Sequence, residues 1–178
     1  PVDSVSWWEA VTFCNRLSER VGLTPVYALT QAEGGELSVE RLDLAQEAQG
    51  EAQGEAQGEA QETPPSWGYR LPTEAEWEHL ARAGQDRPFA GSHEASEVAW
   101  SLEGRVDGGR EVAQKKPNAW GLYDLSGNVW EWCEDGFDEH VYRYRPSGAL
   151  NPRVPPKGEH PRVRRGGSWA TSQEGCRV

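Results

Sequence analysis

The chain has 178 residues, a formal net charge of −11, nine Trp, three Phe and no Met. Its length suits one domain with a sizeable core, and the reliance on Trp implies rigid rings whose N–H groups need partners. The charge is local: residues 31–63 hold nine acids and one Arg, a net −8 that leaves −3 elsewhere, so neither a nucleic-acid surface nor an anionic-membrane surface is indicated.

Taken in order, Ser6-Trp7-Trp8-Glu9 predicts a capping box, followed by a helix whose core face is Ala10, Cys14, Leu17 and Val21 and which Gly22 ends. Residues 24–30 are expected to be extended. Residues 31–66 are dominated by Glu-Ala-Gln-Gly repeated from Glu47 to Gly58. Gly at every fourth position costs about 1 kcal/mol each in a helix, and Ala alone buries too little to offset the chain entropy. The segment reads as a solvated, low-complexity acidic insertion into one domain spanning 1–178. Thr73-Glu74-Ala75-Glu76 predicts a second capping box, with Trp77, Leu80 and Ala81 on the buried side of a short helix ending at Gly84. Val98-Ala99-Trp100 is expected to be a strand, and residues 134–160, with Tyr142 and Tyr144 at a strand-like interval, a surface excursion.

No apolar run reaches membrane-spanning length and no signal-peptide pattern is present, so no membrane insertion is expected; the compartment stays open. Cys14, Cys133 and Cys176 show no disulfide framework, and the four His are scattered without ligand spacing.

The densest chemistry is Gly121-Leu122-Tyr123-Asp124-Leu125-Ser126-Gly127-Asn128-Val129-Trp130-Glu131-Trp132. As a strand its second half would point Val129, Glu131 and Cys133 one way and Asn128, Trp130 and Trp132 the other. Glu131 then needs a partner on the side where it is costly to bury. Two readings stay open from spacing alone. Asp124, Gly127, Asn128 and Glu131 could wrap a small cation such as Ca²⁺, or Asp124 could cap a turn while Glu131 pairs with a buried Arg.

This stretch resembles the signature of the formylglycine-generating enzyme family, the sulfatase-modifying factors. Three further blocks match in order: Val5-Ser6-Trp7, Arg70-Leu71-Pro72-Thr73-Glu74-Ala75-Glu76-Trp77, and Arg165-Gly166-Gly167-Ser168-Trp169. The resemblance implies an α+β, C-type-lectin-like fold with little regular secondary structure. It also implies a structural Ca²⁺ held by the Asp124 and Glu131 side chains and the carbonyls of Gly127 and Val129. A second family Ca²⁺ site would need an Asn where Val98 stands, with Asp107 as its acid. The missing initiator Met and the missing closing Gly-Phe-Arg block lead us to expect a segment of a longer protein.

Enzymes of this family oxidise a sulfatase cysteine to formylglycine with O₂ and a copper(I) ion on two cysteine thiolates. The second cysteine position falls on Cys176, but the first falls on Thr171, and Cu(I) selects thiolates over hydroxyls. Ser168 and Trp130 also match active-site positions of the family. The resemblance therefore implies a domain without the two-cysteine copper site, acting as a binding or regulatory module for a protein or small ligand. Its alternatives are an active oxidoreductase, or a ligand-display variable protein of a diversity-generating retroelement, a class that shares this fold.

Overall fold

A computed structural model describes residues 1–31, 35, 37–43, 67–105, 107–144, 149, 151–155 and 160–178. The Glu-Ala-Gln-Gly repeat lies outside them. The described residues form two compact units, one of Ser6–Leu71 and one of Pro1–Val5 with Pro72–Val178.

In the Ser6–Leu71 unit, α1 (Trp7–Arg20) starts at the expected capping box, with the Ser6 hydroxyl accepting from Glu9 N and the Glu9 carboxylate accepting from Ser6 N. Its buried face is Trp7, Val11, Cys14 and Ser18 rather than Ala10, Cys14, Leu17 and Val21, and Val21 is exposed. The face is rotated because Ser18 has polar work inside. Its hydroxyl donates to Cys14 O (2.7 Å) and accepts from Tyr69 N (2.8 Å). Asn15 bonds both backbone groups of Tyr27, at 2.7 and 3.1 Å. This anchors β1 (Tyr27–Gln31), which pairs antiparallel with β2 (Leu37–Arg41).

The first part of the expected loop at 31–66 is thus a hairpin strand. Leu37, Val39 and Arg41 supply the alternation that the repeat lacks. Gly68 N donates to Thr24 O (2.9 Å), and Thr24 bridges Trp67.

In the other unit, Thr73 and Glu76 form the second capping box and open α2 (Glu74–Arg82). Trp77 and Ala81 enter a core with Ala90, Leu125, Cys133 and Val163. Leu80, expected inside, is 39% exposed. The segment Val98–Trp100 is not a strand: α3 (Ala95–Val98) is one helical turn, and only Trp100 makes a bridge, to Gly127. Phe89, Ala95, Val98, Ala99 and Cys176 form a second apolar cluster. Val98 offers no side-chain oxygen there, and Asp107 is exposed beside Arg110.

β3 (Glu131–Gly136) pairs antiparallel with β4 (Arg162–Arg165), with Glu131 opposite Arg165 and Trp132 opposite Arg164. The register shifts before Gly136 reaches Arg162. The irregularity turns consecutive side chains inward. Glu134 and Asp135, read from sequence as the start of a surface excursion, are buried. Each is satisfied. Glu134 pairs with Arg153, and Asp135 accepts from Val154 N (2.7 Å) and from Glu74 N in the first turn of α2 (2.8 Å). Beyond it, Val141–Tyr144 is a helical turn (α4) and not a strand.

Burial pushes the Asp135 carboxyl above its ordinary value of 3.8, with the nearby Glu74 charge adding to the rise. A carboxyl raised on folding favours the folded state below the unfolded pKa, and that contribution is lost as pH climbs through the raised value. A carboxyl-carbon NMR titration is expected to place Asp135 above 3.8; a midpoint at or below it would mean that the two amide bonds outweigh desolvation.

Candidate functional site

The turn before β3 is built on left-handed residues: Asp124 (φ 60°), Gly127 (φ 76°) and Asn128 (φ 63°). Asn128 is buried and behaves like a strand backbone, its Oδ1 accepting from Arg110 N (2.9 Å) and its Nδ2 donating to Arg110 O (3.2 Å). Gly127 N donates to Gly166 O (2.7 Å), Asn128 N to Trp100 O (2.8 Å), and Trp169 N to Asn128 O (2.9 Å). The turn thereby ties the Gly166-Gly167-Ser168-Trp169 block to the rest of the unit.

Asp124 Oδ2 accepts from Ala113 N (2.8 Å), and Glu131 Oε2 accepts from the indole N–H of the buried Trp77 (2.6 Å). Glu131 thus takes an indole as its partner, in place of the Arg that one sequence reading required. Burial pushes the Glu131 carboxyl up, the Trp77 bond pulls it back, and the Asp124 charge raises it further. Two carboxylates therefore repel across one turn. Among the described residues none donates a hydrogen bond to the Gly127 or Val129 carbonyl. No three His, Cys, Asp or Glu side chains converge as a metal site among those residues. Any cation here would be held by the carboxylate pair and completed by carbonyl oxygens.

Trp130 and Ser168 share a cleft of about 340 Å³ with Trp132, Trp169 and Arg164. Strand alternation puts Trp130 and Trp132 on one face, and the cross-strand pair Trp132–Arg164 brings the guanidinium over both rings, 5.2 and 5.8 Å from their centroids. Trp132 Nε1 donates to Val5 O (3.0 Å), so residues 2–5 form one wall.

Cys176 does not line this cleft. It is fully buried behind Ser168, its thiol directed at Ser168 O (4.0 Å) and packed so closely that a Cβ on Gly167 would lie 2.7 Å from the sulfur. Burial, with the Glu103 charge, pushes its pKa up to about 11. The Thr171 hydroxyl accepts from Ser168 N (3.1 Å) and shares a bond with the Ser168 hydroxyl (3.0 Å). The sequence motifs point to Trp130 and Ser168. Trp132 and Trp169 belong to the same two motifs, whereas Arg164 joins them through strand register, a non-local fact without a local signal.

The family model described as sulfatase-modifying factor enzyme 1-like domain matches residues 1–178. The chain belongs to this family. It is 28% identical to the chaperone protein LppX of Paenibacillus barcinonensis over 97% of this chain and 60% of that protein. It is 38% identical to the formylglycine-generating enzyme of Bos taurus over 61% of this chain and 32% of that enzyme. Among solved structures, Treponema denticola variable protein 1 superposes with a TM-score of 0.71 at 33% identity, covering 99% of this chain and 63% of that one. The chain thus spans less than two thirds of the length of each. Helix and small sheets together make this an α+β member of the family. No helix among the described residues is long and apolar enough to cross a membrane.

Proposed function

We propose that this family domain is a binding module whose Trp130–Trp132–Trp169 cleft holds a ligand, and that it lacks the two-cysteine copper oxidase chemistry. The carrying observation is the environment of Cys176 and Thr171. Burial pushes the Cys176 thiol up to about 11, and Cu(I) selects thiolates over the hydroxyl that Thr171 presents. The hydroxyl at the other position is already bonded to Ser168. These residues do not fit a two-thiolate copper centre. The family's C-type-lectin-like architecture agrees with a chain whose described strands form only two two-stranded sheets.

A structural Ca²⁺ belongs to this reading. Asp124 and Glu131 would hold it with the carbonyls of Gly127 and Val129, oxygen donors of the kind Ca²⁺ takes. The Gly127 and Val129 carbonyls, to which no described residue donates a hydrogen bond, support the assignment. The ion would brace the turn that carries the cleft. Ligand display is a second form of the same reading, favoured by the likeness to Treponema denticola variable protein 1.

A Cu(I) titration competed against a chromophoric chelator tests the proposal. No tight one-to-one binding is expected. Tight binding that disappears in Cys176→Ser would overturn it.

A further inference from the structure

We infer that the cleft takes a peptide carboxylate, seated on Arg164 beside an apolar or aromatic side chain. This rests on the reading of the cleft as a ligand site. Arg165 pairs with Glu74 and Glu78, Arg153 with Glu134, and Arg82 with Glu78. Arg164 is exposed and its guanidinium, among the described residues, makes no hydrogen bond or ion pair. Its contacts are the faces of Trp130 and Trp132. The guanidinium lies over both rings and is exposed, so its donors are open to a carboxylate, whose geometry their fork matches.

Asp3 is the acid of this cleft. It accepts from the Ser4 hydroxyl (3.0 Å) and forms no ion pair with Arg164. The serine hydroxyls lining the cleft are engaged, Ser4 with Asp3 and Ser168 with Thr171. Little hydrogen-bonding capacity remains for the many hydroxyls of a sugar. What remains is ring surface, the Arg164 cation and the Asp3 carboxylate at the residue 2–5 wall, in a volume at the lower end of ordinary ligand pockets. An acidic residue next to a large apolar one supplies both complements.

The test follows the indole N–H resonances of Trp130 and Trp132 by NMR in the full chain. Three probes are titrated: N-acetyl-Glu-Phe amide, N-acetyl-Gln-Phe amide and inorganic phosphate. The acidic dipeptide is expected to give saturable shifts. Binding should weaken about tenfold or more with the Gln dipeptide, or in Arg164→Gln, as for loss of a charged hydrogen bond. Arg164→Lys should retain part of it, keeping charge but not the fork. An unchanged set of remaining amide peaks shows that the variants are folded. Equal affinity for the two dipeptides would overturn the role of Arg164 while leaving a ligand cleft in place. Phosphate binding as tightly as the acidic dipeptide would overturn the peptide assignment. Silence of both indoles with every probe would overturn the inference, whereas the module reading falls separately, on the copper titration.

Discussion

Gly127→Ala is expected to cost about 4 kcal/mol or more, a large fraction of the roughly 5–15 kcal/mol of a domain of ordinary stability, and so to lower the melt strongly. Two effects add. Gly127 has φ 76°, a left-handed conformation that costs an L-residue about 1–2 kcal/mol. A Cβ there would also lie 2.2 Å from the Trp100 carbonyl oxygen and 2.8 Å from its carbon. That carbonyl cannot retreat freely, because it accepts from Asn128 N at 2.8 Å. Gly121→Ala is the matched control. Its φ is 79°, yet nothing lies within 4 Å of its added Cβ, so only the strain remains. Thermal melts that fall equally in the two variants would show that the close approach of the Trp100 and Gly127 backbones is not what the turn depends on.

Calcium removal is expected to have the next largest effect. At a hundredfold excess over its dissociation constant a ligand of the folded state adds about 2.7 kcal/mol, which for a chain of this size is roughly 5–10 °C in Tm. EDTA should therefore lower the melt by that order relative to excess Ca²⁺. Glu131→Gln should abolish the difference. Gln retains an oxygen for the Trp77 indole but not the charge that completes the pair with Asp124. Identical melts in EDTA and Ca²⁺ would contradict the site.

The local features of the fold were legible in the sequence. Both capping boxes, Ser6–Glu9 and Thr73–Glu76, rest on bonds three residues apart, and both helices start where those patterns place them. Features that depend on distant partners were not. Ser18 looks like a surface residue until Tyr69 N returns to it across 51 positions. Glu134 and Asp135 look solvated until Arg153, Val154 and the first turn of α2 enclose them. Leu80 follows helical spacing, but the core ends at Trp77 and Ala81. The site shows the same division. Family motifs carry Asp124, Glu131, Trp130 and Ser168, whereas Arg164 acquires its place only when β4 lies against β3 with Arg164 opposite Trp132.

The central claim, a binding module without copper oxidase chemistry, is tested most directly by supplying that chemistry. The chain is incubated with Cu(I), O₂, a thiol reductant that supplies the two further electrons, and a peptide carrying a sulfatase-type cysteine, beside a two-cysteine relative in the same buffer, and the peptide is read by mass spectrometry. The relative is expected to convert thiol to aldehyde while this chain returns the peptide unchanged. Aldehyde formed by this chain, and lost in Cys176→Ser, would contradict the claim.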